Sequence, residues 1–110
     1  MTRATWKHGE RRIATLLGGR RVPVSGRARG SAPDIDHEHL SIEVKCRKTI
    51  PAWLHTAMAQ ARAAQRGDQL PTVVLHEEGQ RYENAYVVHR LCDYRHWYGD
   101  VHPEHPEGVT

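Results

Sequence analysis

Apolar side chains recur at helical spacing over the first seventeen residues of the chain. At about 100° per residue, Trp6, Ile13 and Leu17 fall on one side of a helix. Thr5 supplies a cap before this stretch, and the two glycines that follow Leu17 supply a stop. The pattern predicts a first helix from Thr5 to about Leu17.

Glu10 lies within the apolar side of this predicted helix. It falls about 40° from Trp6 around the helix axis. Because an unpaired buried carboxylate costs several kcal/mol, Glu10 needs a partner. Two interpretations stay open: Glu10 faces a functional site, or it forms an ion pair with Arg20 or Arg21.

Alternation of apolar and polar residues marks the predicted strands. In the clearest case, residues 40–46, apolar side chains face one way while Ser41, Glu43 and Lys45 face the other. Other short strands are predicted at residues 20–24, from residue 33, at 72–75 and at 84–89. The unbroken run of β-branched and apolar residues at 72–75 is typical of a strand buried on both faces.

A second helix is predicted to begin at Thr49 and Pro51 and to end near Arg66, with Gly67 as its stop. Its predicted buried stripe is Trp53, Leu54, Ala57, Met58, Ala61 and Ala64. Residues 91–97 fit a short helix or a docked tail, and the end from residue 101 is expected to be flexible. The predicted fold class is a single small α/β domain over residues 1–100, with a mixed central sheet flanked by helices.

Composition and charge narrow the function classes. The chain has 110 residues, of which 38% are hydrophobic and 26% charged, and it lacks the run of about 18 apolar residues that a membrane span needs. The basic start is not followed by an apolar stretch, so we expect a cytoplasmic protein without a secretory signal. Residues 1–30 carry eight Lys and Arg against one acid, Glu10. This concentration of positive charge favours a polyanionic partner, above all nucleic acid.

Asp34, Glu43 and Lys45 are the candidate residues for chemistry. Two carboxylates on adjacent strands can bind a hard divalent cation such as Mg²⁺ or Mn²⁺. Lys45 shares a face with Glu43, about 7 Å along the strand, where its ammonium can reach a metal-bound water or a phosphate oxygen. Such a set can hydrolyse a phosphodiester. Taken singly, Glu43 and Lys45 equally fit an exposed pair on a solvated face, and Asp34 fits a turn residue.

Pro33-Asp34, followed after eight residues by Glu43-Val44-Lys45, resembles the PD-(D/E)XK motif of restriction-endonuclease-like nucleases. The inward Glu10 and the Ser25-Gly26 loop make the chain more specifically similar to archaeal-type Holliday junction resolvases, which also occur in phages. The similarity spans about residues 6–66. It implies a Mg²⁺- or Mn²⁺-dependent endonuclease that cuts four-way DNA junctions and forms a homodimer through its sheet and second helix.

The resemblance also implies roles for individual residues. Asp34, Glu43 and the Val44 carbonyl would ligate the metal ion, and Lys45 would orient the attacking water. Glu10 would reach the metal region through water or a second ion. The residues assigned to phosphate or DNA contact are Ser25, Arg3, Lys7, Arg11, Arg20, Arg21, Arg27, Arg29, Arg47 and Lys48.

Two other functions remain open from the sequence. A nuclease of the same fold would act on flapped or single-stranded DNA instead of junctions. A non-catalytic module would use only the basic first quarter to bind nucleic acid, and it would need neither a metal ion nor Glu43.

The cysteines and histidines do not suggest zinc. Cys46 and Cys92 lack paired spacing and are each predicted to be a buried small hydrophobe. His37 and His39 are predicted to lie on a tight turn between strands. The spacing of the histidines does not fit a structural zinc site.

Overall fold

The computed structural model describes residues 3–23 and 32–101, with side chains over 7–23 and 32–99. Its helices are α1 (Arg3–Leu17), α2 (Ala52–Ala63) and α3 (Leu91–Val101), and a short 3₁₀ helix spans Tyr82–Asn84. Its strands are β1 (Arg20–Arg21), β2 (Ile35–Asp36), β3 (Val73–Leu75) and β4 (Tyr86–Val88). The chain divides into two compact units, and the boundary between them falls between Lys48 and Thr49. Within these ranges, none of the helices is long and apolar enough to cross a membrane.

In the first unit, helix α1 ends where the sequence predicts. Gly18 adopts a left-handed φ of 75°, the Gly18 N–H bonds the Thr15 carbonyl, and the Gly19 N–H bonds the Ala14 carbonyl at 2.9 Å. This pair of bonds satisfies carbonyls that the last turn would leave open. The beginning of the helix differs from the prediction, because the helix starts at Arg3 and therefore includes Thr5.

Strands β1 and β2 pair in antiparallel orientation, with Arg21 opposite Ile35. Ile35 is fully buried and Ala14 of α1 is 3% exposed, so these two residues mark the core of the unit. Close approach of the chain to β2 requires a glycine at position 19, since a Cβ there would lie 2.6 Å from the carbonyl oxygen of Asp36. The predicted strand at 20–24 is therefore confirmed over two residues, and residue 24 lies outside the described ranges.

Residues 40–46 are not the regular strand that their alternation predicts. Exposure does alternate, with Ser41, Glu43 and Lys45 exposed between partly buried apolar neighbours. A single bridge, between Ile35 and Ile42, joins the segment to β2. Beyond that bridge the ladder stops, because the Val44 N–H bonds a carboxylate oxygen of Asp34 and not a strand carbonyl.

In the second unit, helix α2 is shorter than predicted and packs along a narrower stripe. It begins after Pro51 and ends at Ala63, before the left-handed turn at Gly67. Met58 is buried at 8% exposure, whereas Trp53 is 59% exposed. Placing Trp53 in the buried stripe was wrong because it lies about 140° from Met58 around the helix. Ala64, which the pattern also places in the stripe, is exposed and lies just past the end of α2.

Strands β3 and β4 form an antiparallel pair in which Val74 lies opposite Val87. Both valines are largely exposed, at 61% and 58%. The prediction of a strand buried on both faces is therefore wrong for this segment, because α2 contacts β3 while the face with Val74 stays open in the described residues. The last predicted strand is also shorter than expected, since Asn84 belongs to the 3₁₀ helix.

Helix α3 confirms the helical alternative for residues 91–97 and extends it to Val101. Tyr98 is buried, and the Tyr94 ring stacks on His89 with centroids 6.0 Å apart. Burial raises the pKa of the Tyr94 hydroxyl above the usual tyrosine value. Cys92 is exposed on this helix, so its prediction as a buried residue is wrong. Of the end expected to be flexible from residue 101, Val101 belongs to α3 and residues 102–110 lie outside the described residues.

These elements confirm a small chain of mixed α and β structure. The predicted single mixed sheet is not formed by the residues described, whose strands make two separate antiparallel pairs, β1 with β2 and β3 with β4. The strands are two or three residues long.

Candidate functional site

Hydrogen bonds to the backbone hold Asp34 in place at the candidate site. It is buried at 8% exposure, and its Oδ2 accepts a hydrogen bond of 2.7 Å from the Val44 N–H. Its own N–H bonds the Ile42 carbonyl at 3.0 Å. The Asp34 carboxylate therefore lies against the peptide that links Glu43 to Val44. The structure thus brings together the two halves of the motif that the sequence separates by eight residues.

Glu43 and Lys45 point to the exposed side of the same segment. Neither side chain has a hydrogen bond or an ion pair to another residue in the described ranges. Their exposure also agrees with the alternative interpretation, an exposed pair on a solvated face, although the two do not form an ion pair with each other. Both charges remain available to a group that approaches from solvent.

Glu10 has the buried position that helical geometry predicts, with 4% exposure. Its Oε1 pairs with Nε of Arg21 at 3.0 Å, and the two side chains are 5% and 14% exposed. Of the two interpretations left open by the sequence, this contact matches the ion pair. The contact engages Arg21 inside the unit, and the role of Arg21 in DNA contact stays a prediction. The pair joins α1 to β1.

The predicted basic surface is partly described. Lys7, Arg11, Arg20, Arg47 and Lys48 are all exposed, as a role in phosphate contact requires. Arg12 is exposed as well and is absent from the predicted set, although it lies beside Arg11 in the same basic helix. The structure gives the backbone of Arg3, within α1, and the predicted contacts Ser25, Arg27 and Arg29 lie outside the described residues.

His37 is placed on a tight turn, as predicted. Its Nδ1 accepts hydrogen bonds from the backbone N–H groups of His39 and Leu40, at 3.0 and 3.1 Å. The ring therefore caps the turn that leads from β2 to the segment of Glu43. This assigns His37 a structural role, since the turn sets where the second half of the motif begins.

A divalent cation is compatible with the chemistry of this site. No group of three or more His, Cys, Asp and Glu side chains in the residues described could hold a metal ion. Mg²⁺ keeps several waters and is commonly held by one or two carboxylates. Asp34, Glu43 and the Val44 carbonyl supply oxygen donors of that kind, and the hydrogen bond to Val44 fixes the first of them.

Comparison with known proteins adds no relative. No family model, curated protein or solved structure matches the chain. The resemblance to Holliday junction resolvases therefore remains an expectation from the residues of the motif.

Proposed function

We propose that this protein is a metal-dependent endonuclease that hydrolyses phosphodiester bonds in branched DNA, of the Holliday junction resolvase type, with a restriction-endonuclease-like fold. The observation that carries the proposal is the 2.7 Å hydrogen bond between the Asp34 carboxylate and the Val44 N–H. It places a buried carboxylate against the peptide that carries Glu43, beside an exposed lysine. A turn residue, which is the alternative role for Asp34, does not require this contact.

The chain's own residues have separable tasks in this mechanism. Asp34, Glu43 and the Val44 carbonyl would hold Mg²⁺ or Mn²⁺. When bound, such an ion withdraws charge from the scissile phosphate and lowers the pKa of water. The Lys45 ammonium would donate hydrogen bonds to a phosphate oxygen, where negative charge increases in the transition state. The pair of Glu10 with Arg21 would act structurally, because it fixes α1 to the strand beside Asp34.

The charge of the first unit supports a DNA partner. Residues 1–48 carry eleven Lys and Arg and five Asp and Glu, whereas residues 49–110 carry five and eight. The excess of positive charge thus lies in the part of the chain that contains the motif. Lys7 and Arg11 are exposed and four residues apart on α1, so both can reach phosphates on one side of the helix.

A homodimer is part of the proposal. Val74 and Val87 present adjacent apolar side chains on the outer face of the β3–β4 pair. Exposed apolar surface of this kind is typical of interaction sites, and a second copy would supply the second active site needed to cut two strands. Sedimentation of the protein should give twice the chain mass, and Val74→Lys should shift it to the monomer.

The test of the activity uses a synthetic four-way DNA junction. We expect nicks near the branch point in Mg²⁺ or Mn²⁺ and none in excess chelator. At equal concentrations, the four-way junction should be cut faster than a flap, a single strand or a linear duplex. Preferred cleavage of the flap or the single strand would replace the resolvase proposal by the related nuclease.

The non-catalytic DNA-binding module is separated from the nuclease by the same assay. The exposed basic residues favour it as the second candidate, because they support salt-dependent binding whether or not cleavage follows. Binding of the junction without metal-dependent nicking would establish that alternative.

A further inference from the structure

The second unit contains a cavity that the proposed function does not use. It has a volume of about 110 Å³ and lies between the turn that follows α2 and the first turns of α3. Its walls include Gln65, Asp68, Pro71, Asp93 and Trp97, all within one compact unit. The cavity is open to solvent on one side, so a small group can enter.

The charge of Asp93 is the feature that points to a ligand. Its Oδ2 is buried and accepts no hydrogen bond from the described residues. Its Oδ1 has a weak thiol contact, 3.9 Å from Sγ of Cys92. No Lys or Arg side chain in the described ranges forms an ion pair with it. Asp93 lies in the first turn of α3, where the helix dipole favours a carboxylate, and a cation in the cavity would add to that stabilisation.

The other walls indicate which cation fits. Asp68 adds a second carboxylate. The Gln65 amide N–H donates a hydrogen bond to the Gly67 carbonyl at 3.2 Å, which leaves the Gln65 Oε1 to accept. Trp97 lines the same cavity and is 38% exposed. A bare metal ion would gain nothing from Trp97, because an indole N–H only donates and offers no ligand atom. A guanidinium carries five N–H donors in a plane and stacks on aromatic rings.

We propose that this cavity binds the guanidinium group of arginine, presented either by a free arginine-like molecule or by an arginine side chain of a protein partner. The carboxylates of Asp68 and Asp93 would accept hydrogen bonds from the N–H groups of the guanidinium, and the Trp97 ring would lie against its planar face. The site is independent of the nuclease proposal, because all of its residues lie in the second unit and none belongs to the motif.

The test is a titration of the full-length protein observed by the indole N–H resonance of Trp97. The probes are agmatine, N-acetyl-arginine amide and N-acetyl-citrulline amide, a neutral analogue of the same shape. We expect saturable shifts with the first two, with dissociation constants on the order of 1 mM, and none with the citrulline compound. Tighter binding of the blocked amide than of agmatine would assign the site to a protein side chain, and the reverse order to a free small molecule.

Variants show whether the binding occurs in this cavity. Asp93→Asn and Asp68→Asn should each weaken binding at least tenfold, and Glu77→Gln, an exposed acid elsewhere in the unit, should leave it unchanged. Asp68 is exposed, so its variant should fold even if the Asp93 variant does not. Three results would each overturn the proposal. They are equal binding of the citrulline compound, unchanged affinity in Asp68→Asn, and no change of the resonance at probe concentrations 50-fold above about 1 mM.

Discussion

Replacing Glu10 by glutamine tests whether this residue is structural or takes part in catalysis. The change removes the negative charge from a pair whose side chains are 5% and 14% exposed. Loss of one partner of a buried ion pair costs about 3–5 kcal/mol, because the remaining charge is left buried. The glutamine amide still offers an acceptor and Arg21 keeps some contact with water, so we expect a loss of about 3 kcal/mol.

The loss is measurable by thermal and urea unfolding followed by circular dichroism. For a chain of this size, about 3 kcal/mol corresponds to a fall in Tm of roughly 10–20 °C. The double variant with Arg21→Gln should lose less than the sum of the single variants, by about 2 kcal/mol. Glu38→Gln, at an exposed position, is the control and should leave Tm within about 2 °C of the parent.

The junction-nicking rate is measured on the same Glu10→Gln sample and normalised to its folded fraction. We expect the folded fraction to keep cleaving the junction, because Glu10 stabilises the fold and takes no part in the reaction. An unchanged Tm together with complete loss of nicking would contradict a structural role for Glu10. It would instead assign Glu10 to the metal region.

Three other predictions concern stability and binding. Burial raises the pKa of Tyr94, so the stability it contributes is present below about pH 10 and is lost as pH rises through the folded-state pKa; Tyr94→Phe should flatten that fall in alkaline unfolding curves. Gly19→Ala should cost about 1–3 kcal/mol in urea unfolding, because its Cβ would lie 2.6 Å from a backbone oxygen of Asp36. Lys7→Ala with Arg11→Ala should reduce the salt dependence of junction binding by up to about two units of slope.

Matched controls are available for each of these changes. Tyr82→Phe alters an exposed tyrosine and should not change the alkaline slope. Gly9→Ala on α1 meets only Cys46 at an ordinary 3.5 Å and should stabilise the protein by about 0.5–1 kcal/mol. Arg62→Ala with Arg66→Ala removes equal charge from the second unit and should leave the salt slope as it is. Equal effects of a variant and its control would contradict the corresponding prediction.

Helical periodicity was sufficient to predict the burial of Glu10, because its place on α1 depends only on its distance from the apolar residues. Which arginine pairs with Glu10 depends on the pairing of β1 with β2, and the sequence does not specify that pairing. The contact of Asp34 with Val44 likewise needs the register between two segments. The run of β-branched and apolar residues at 72–75 predicted a buried strand but not the exposure of Val74, since such a run does not show what covers each of its faces.

The most direct measurement of the central claim is the cleavage rate of a synthetic four-way junction in Mg²⁺ by Glu43→Gln, with Glu38→Gln as the matched control. Both positions are exposed glutamates in the same unit, and only Glu43 adjoins the peptide whose N–H bonds Asp34. We predict at least a hundredfold loss of cleavage in Glu43→Gln, with junction binding retained, and parental cleavage in Glu38→Gln. Equal cleavage rates for the two variants, or no metal-dependent cleavage by the parent protein, would contradict this prediction.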